Sequence, residues 1–161
     1  IYFSFLNRLP FISKYYRYTY FLWPVAIESF DFSKYDLVIS SSFSVSHGVI
    51  TGINTRHISY IHTPMRYAWD LSKEYFGKSF FLKRWIINFF LNLLRIWDVS
   101  ASGRSDILIS NSNFVSKRIR KYWGRYSDYV IYPPVSLYKG RIYHWLAYYT
   151  SLSSRERQGF N

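Results

Sequence analysis

Cysteine is absent from this chain of 161 residues, and its seven glycines are too scattered to form a Gly-x-Gly or Walker pattern. Without cysteine there are no disulfides and no cysteine-ligated zinc, which excludes a small disulfide-stabilised secreted domain and makes the reducing cytoplasm the expected compartment. The glycine spacing removes the usual phosphate-binding loops. Neither an Asp-x-Asp motif nor a paired-histidine spacing is present, so we expect no metal site.

Acidic residues are also few, with nine Asp and Glu against 21 Lys and Arg, a formal net charge of +12. Such an excess favours anionic partners, namely nucleotides, lipid head groups or nucleic acid. Nucleic acid is the least expected of these, because the basic residues form no recognised nucleic-acid-binding motif. The hydrophobic content of 49% is sufficient for a buried core, and the length predicts one domain.

A long uninterrupted apolar run is missing too, since Lys83, Arg84, Asn88, Asn92 and Arg95 interrupt residues 80–97. We predict a helix packed on a sheet, otherwise buried, with a polar stripe at three- and four-residue spacing. The stripe consists of Arg84, Asn88, Arg95, Asp98 and Ser102. A helix lying in a membrane interface is the alternative.

What is present is an alternation of strand and helix patterns. Short β-branched runs predict strands at residues 36–40, 57–61, 106–110 and 129–132, and their near-continuous apolar character is typical of a parallel sheet covered on both faces. Helices are predicted at residues 44–50, 80–102 and 113–123, and at 12–29 with an interruption at Pro24. The pattern predicts an α/β fold, a Rossmann-like parallel sheet with helices on both faces.

The chain divides into two predicted parts. Residues 1–135 form a partial domain, and residues 136–161, which follow the rigid Pro133–Pro134 pair, form a linker or a divergent tail. Because residue 1 is Ile rather than Met, we expect the natural chain to begin upstream.

Polar side chains follow three of the predicted strands at the point where each strand ends. In open parallel sheets, ligands bind in the crevice outside the carboxyl ends of the strands. The candidates are Ser41 and Ser42, His62 and Thr63, and Asn111 and Ser112. His62 is a candidate general base or a donor to a substrate hydroxyl, with a structural histidine as the alternative.

The loop after the second strand carries four further candidates with two interpretations each. Arg66 could hold an anionic ligand or pair with Asp70 one helical turn later. Tyr67 and Trp69 could stack on a sugar or pack in the core. Farther along, Asp98 is expected to hold Arg104 or a neighbouring loop rather than to act in catalysis.

The helix predicted at residues 113–123 has clear boundaries. Asn111 or Ser112 can cap its first turn or, alternatively, present it to an anion, and Gly124 can end it. Val115, Ile119 and Tyr122 share one face. The opposite face is predicted to be basic, with Lys117, Arg118, Arg120 and Lys121.

Four segments in this order carry a family resemblance: YDLVISSSFSVSHGVITG, HISYIHTPMRYAWD, LRIWDVSASGRSDILISNSNFVSKRIRKYWGR and VIYPPV. Over residues 7–135 the chain resembles the N-terminal domain of family-four, GT-B-type retaining glycosyltransferases. The most similar group is the bacterial mannosyltransferase-like enzymes of cell-surface polysaccharide assembly.

The resemblance implies half of a GT-B fold and an enzyme that moves a sugar from a nucleotide-sugar to a glycan or lipid-linked acceptor with retained configuration. It implies no obligatory metal or other cofactor, and its neighbours suggest GDP-mannose as donor. His62 would position the donor sugar as the catalytic histidine, and Ser41 and Ser42 would lie at the same crevice. Substrate-binding positions would be Thr63, Arg66, Tyr67, Trp69, Asp70, Asn111 and Ser112.

The family's glycine-rich first loop and its nucleotide-binding C-terminal domain have no counterpart in these 161 residues. We therefore expect the chain alone to be inactive, and the enzyme to be cytoplasmic or peripheral at the inner membrane face. The alternative function is a nonenzymatic basic module that binds an anionic membrane surface. Its candidate residues are Lys117, Arg118, Arg120, Lys121 and Arg125.

Overall fold

A computed structural model describes residues 3–8, 19–72 and 81–134, and the tail predicted at residues 136–161 lies outside these ranges. Four parallel strands form one sheet in the order β1-β2-β3-β4. They are β1 (Leu37–Ser42), β2 (Arg56–Ile61), β3 (Ile107–Ser110) and β4 (Tyr129–Val130). All four predicted strands are confirmed, with β4 shorter than expected.

Within the described ranges, three α-helices accompany the sheet: α1 (Trp23–Glu28), α2 (Phe81–Ser102) and α3 (Asn113–Trp123). Short 3₁₀ turns occur at Phe5–Arg8, Tyr20–Leu22 and Ser46–Gly48, the last in place of the helix predicted at residues 44–50. Residues 12–18 of the helix predicted at 12–29 lie outside the described ranges. In the described part Pro24 lies in the first turn of α1, where its missing N–H costs nothing. The predicted α/β, Rossmann-like parallel sheet is confirmed.

The two faces of the sheet differ in burial. Val38, Ser40 and Ser42 of β1 are buried, whereas the alternate residues Leu37 and Ile39 are exposed. β2 and β3 repeat this alternation with half-buried residues on the open face. The prediction of cover on both faces is therefore met on one face in the described part. Isoleucines on the open face hide the alternation from a hydropathy pattern.

The covered face packs mainly against α3. Ile61 and Leu108 from the sheet form one buried cluster with Val115, Ile119 and Trp123 of the helix. A second cluster joins the loop after β2 to α2 and consists of Met65, Ala68, Leu91 and Leu94. The loop that carries His62 is thus held from both sides by apolar contacts.

Helix α2 follows the predicted polar stripe only in part: Arg84 and Asn88 are exposed, but the rest of the stripe is not. Asp98 and Ser102 of the predicted polar stripe are buried, and the Arg95 Nε donates a hydrogen bond of 2.6 Å to the Ala68 carbonyl. Apolar side chains are exposed instead. We call the exposed set Trp85, Phe89, Leu93 and Ile96 the apolar stripe of α2. Asp98 can be buried because neighbouring segments donate hydrogen bonds to it, and a hydropathy pattern carries no information about those partners.

Both ends of α3 follow the sequence prediction. Ser112 accepts a hydrogen bond of 3.2 Å from the Val115 N–H, and Gly124 ends the helix with a φ of 68°. The basic face is only partly as predicted. Lys117, Arg120 and Lys121 are exposed, but Arg118 is buried. No helix in residues 3–8, 19–72 and 81–134 has both the length and the apolar character to cross a bilayer.

Candidate functional site

The carboxyl ends of β1, β2 and β3 are level with one another. Ser42 is paired in register with Ile61, and Ile61 with Ser110. The parallel hydrogen-bond ladder continues one residue further, with the His62 N–H donating to the Ser42 carbonyl at 2.8 Å and the Asn111 N–H to the Ile61 carbonyl at 3.2 Å. The structure therefore places His62 and Asn111 at one edge of the sheet, as expected for a ligand crevice.

His62 and Ser41 form the exposed polar pair of this edge. The Ser41 Oγ lies 2.9 Å from the His62 Nε2, and both residues are open to solvent. The Tyr60 ring meets the imidazole edge-on at a centroid distance of 5.3 Å, and the Tyr60 hydroxyl donates to the Ile131 carbonyl at 2.9 Å. The imidazole is thus held at a defined position on the open face while remaining accessible.

Thr63, Arg118 and Asp70 fix the loop that follows His62. The Arg118 guanidinium makes a bidentate ion pair with Asp70, and its Nε donates to the Thr63 Oγ1 at 3.2 Å. Hydrogen bonding from Arg118 holds the pKa of Asp70 below its usual value, and Asp70 raises the pKa of Arg118. Both groups stay charged, so α3 is linked to the loop over a wide pH range.

Arg66 is exposed beside this ion pair. The alternative in which Arg66 pairs with Asp70 is wrong, because the described partner of Asp70 is Arg118. Packing places Arg118 of α3 against the loop, which sequence spacing cannot foresee. The Arg66 side chain lies at the surface, where it stays a candidate for an anionic ligand.

The rings of Tyr67 and Trp69 pack against other parts of the protein, which favours the core interpretation over stacking on a sugar. The Tyr67 hydroxyl shares a hydrogen bond of 2.9 Å with the Ser44 Oγ, and burial raises the pKa of Tyr67 to about 12. Trp69 stacks on Tyr122 at a centroid distance of 4.8 Å. Both rings therefore make contacts within the protein.

The remaining candidates differ in whether their side chains lie at the crevice. They are Ser42, Asn111 and Ser112. Ser42 is buried on the covered face, where its Oγ lies 3.2 Å from the His47 Nδ1. Ser112 caps α3, and its hydroxyl donates to the Asn111 Oδ1 at 3.0 Å. The capping interpretation therefore accounts for Ser112, while the half-buried Asn111 lies at the edge beside His62.

A buried polar group that sequence reasoning missed lies beneath the crevice. Asp98 accepts hydrogen bonds from the indoles of Trp69 at 2.8 Å and Trp123 at 2.6 Å through its Oδ2. Its Oδ1 lies 3.4 Å from the Nε2 of His47, whose ring stacks on Trp123. His47 and Asp98 have no measurable exposure. We call His47, Asp98, Trp69 and Trp123 the Asp98 cluster.

Of the two contacts expected for Asp98, the one to a neighbouring loop is found, through Trp69, and the one to Arg104 is not. The Arg104 guanidinium donates instead to Glu28 at 2.6 Å and to the Gly48 carbonyl at 2.7 Å. Burial would raise the pKa of Glu28, but hydrogen bonds from Trp97 and Arg104 outweigh it and leave that pKa below the usual value. No local signal marks the Asp98 cluster, because its members are distant in sequence and meet only through packing.

A second buried polar group lies at the opposite end of the covered face. The His57 Nε2 contacts the hydroxyls of Ser40 at 2.8 Å and Ser59 at 3.0 Å, and Ser59 in turn contacts Ser105 at 2.6 Å. Burial lowers the pKa of His57. This histidine is therefore a structural group and is separate from the crevice.

A cavity of about 690 Å³ lies beside β1, lined in part by Phe30, Phe32, Tyr35 and Ile39. None of the candidate site residues lines it. Among the described residues, no cluster of three or more His, Asp or Glu side chains could hold a metal ion. Comparison of the chain with protein-family models, curated proteins and solved structures finds no match.

Proposed function

We propose that this protein supplies the acceptor-side part of the cleft of a retaining glycosyltransferase. The reaction would transfer a sugar, mannose from GDP-mannose as the first hypothesis, to a glycan or lipid-linked acceptor. The observation that carries the proposal is the exposed His62–Ser41 pair at the carboxyl ends of two neighbouring parallel strands. Three of the segments that resemble the family pass through this edge, at Ser41, His62 and Asn111.

The chemistry that retaining transfer requires is compatible with this edge. The reaction depends on stabilising the charge of the departing phosphate and on orienting donor and acceptor, more than on a second carboxylate. An imidazole can donate to or accept from a sugar hydroxyl, depending on its tautomer. Ser41 would hold the His62 ring in position, and the Arg118–Asp70 pair would hold the loop.

Charge supports an anionic donor. The net charge is +12, and Arg66 lies exposed four residues after His62 with no carboxylate paired to it in the described part of the chain. A guanidinium of this kind suits a diphosphate, because its donors match two oxygens at once. We propose that Arg66 approaches the diphosphate and that His62 approaches the sugar.

The proposal can be tested by saturation-transfer-difference NMR on the 161-residue protein. GDP-mannose, other nucleotide-sugars and free saccharides would be offered in turn. We expect saturation of sugar protons that is lost in His62→Ala. Arg56→Ala is the matched control, since Arg56 is an exposed residue at the opposite end of the same strand. The proposal would be refuted if no sugar protons were saturated, or if they were saturated equally in His62→Ala.

Catalysis needs a second experiment, because the family resemblance implies a two-domain enzyme. We expect transfer of labelled sugar only when a nucleotide-binding second domain is supplied, and we expect His62→Ala to abolish it. Full activity in that variant would remove His62 from the mechanism.

A further inference from the structure

Helix α2 exposes a continuous row of large apolar side chains. Trp85, Phe89, Leu93 and Ile96 are 66%, 54%, 46% and 60% exposed. Their spacing of three and four residues places them on one side of the helix, along about 16 Å of its axis at 1.5 Å per residue. A surface of this kind is unusual on a folded domain and indicates a partner.

The opposite side of the same helix already has its partners. Leu91 and Leu94 are buried against the loop after β2, and Asp98 is buried in the Asp98 cluster. The apolar stripe of α2 is therefore not a core face whose packing has failed, because the helix has a separate and complete core face.

The charge around the stripe is positive. Asp98 is the single acidic residue of α2, and it is buried. Arg84 is exposed directly before Trp85, and the sequence of the same helix has Lys83 next to it. A helix with tryptophan and phenylalanine on one side and basic residues close by has the composition of helices that lie in the plane of an anionic membrane surface.

We propose that α2 lies on an anionic phospholipid bilayer with the apolar stripe inserted at the boundary between head groups and acyl chains. Trp85 supplies the interfacial anchor, and Arg84 meets the lipid phosphates. This surface differs from the basic face of α3 that the sequence favoured, where Arg118 is already paired with Asp70. The inference does not depend on sugar transfer.

Vesicle co-sedimentation of the 161-residue protein tests the proposal. Vesicles of phosphatidylcholine mixed equally with phosphatidylglycerol are compared with phosphatidylcholine alone. We expect binding to the mixed vesicles, and binding about tenfold weaker for each of Trp85→Ser and Phe89→Ser, since each substitution removes most of an inserted apolar side chain. The matched controls are Ile53→Ser and Tyr126→Ser, exposed apolar residues off the stripe, and we expect these to bind like the parent.

A depth-sensitive measurement separates insertion from simple charge attraction. Acyl chains brominated near the head group should quench tryptophan fluorescence, and Trp85→Phe should remove most of the quenching while the protein still co-sediments. Binding without quenching, or equal binding of all four serine variants, would overturn the proposal. So would a dimer in the absence of lipid that Trp85→Ser dissociates, because the stripe would then be covered by a second copy of the chain.

Discussion

Replacing Asp98 with alanine removes the acceptor that links three separate parts of the protein. The carboxylate accepts from Trp69 of the loop after β2 and from Trp123 of α3, and it lies beside His47 of the segment after β1. Alanine at this position leaves the two indole N–H groups without their acceptor and removes the carboxylate that lies 3.4 Å from the His47 Nε2. We expect this to be among the most destabilising single substitutions in the described part of the chain.

The magnitude follows from the burial of these groups. An unsatisfied buried donor costs about 1–3 kcal/mol, with the upper part of the range for a donor that was bound to a charged group, and Asp98→Ala leaves two buried indole donors unsatisfied. We therefore expect Asp98→Ala to lower the free energy of unfolding by about 3–5 kcal/mol, a large part of the roughly 5–15 kcal/mol typical of a domain. Asp98→Asn keeps one carbonyl oxygen and similar volume, so we expect a smaller loss.

Urea denaturation followed by far-ultraviolet circular dichroism measures this change without depending on indole fluorescence. Ser100→Ala is the control, an exposed residue on the same helix. A double-mutant cycle of Asp98→Ala with Trp123→Phe should show a coupling of about 0.5–3 kcal/mol, as expected for groups in direct contact. A loss of less than about 0.5 kcal/mol in Asp98→Ala would refute the reasoning, because that is the range of ordinary surface substitutions.

Three further predictions concern packing, an ion pair and a buried histidine elsewhere in the fold. Gly48→Ala should cost about 1–3 kcal/mol, since an added Cβ would overlap the Trp97 ring, whereas Gly52→Ala should be nearly neutral in the same urea titration. Asp70→Asn should lower stability by about 1–2 kcal/mol, because Arg118 loses a charged partner that is partly exposed; an unchanged unfolding midpoint would contradict this. Burial lowers the pKa of His57, so the unfolded chain takes up the proton first: stability should be full above pH 6.5 and decline as the pH falls below it. The decline should be smaller in His57→Gln, and an equal pH dependence in the two proteins would show that His57 is not its source.

The parts of the fold that local chemistry determines could be predicted from the sequence. Helix α3 begins and ends as expected because its capping residues Ser112 and Gly124 act within one turn. The strand positions follow from short β-branched runs, and the location of His62 at the sheet edge follows from the strand that precedes it.

The parts that depend on distant contacts could not be predicted. The apolar residues of α2 surround most of the helix, so hydropathy does not say which side meets the core. The core side carries Leu91 and Leu94 together with Asp98, whose carboxylate accepts hydrogen bonds from two indoles of other segments. For the same reason Asp70 pairs with Arg118, which lies distant in sequence, rather than with the nearby Arg66.

The most direct test of the proposed site is amide chemical-shift mapping during titration of the 161-residue protein with GDP-mannose and with related nucleotide-sugars. The proposal predicts that the shifts concentrate at Ser41, His62 and Asn111, at the carboxyl ends of the strands, and disappear in His62→Ala. Shifts that concentrate instead around the cavity beside β1, or that are unchanged in His62→Ala, would contradict it.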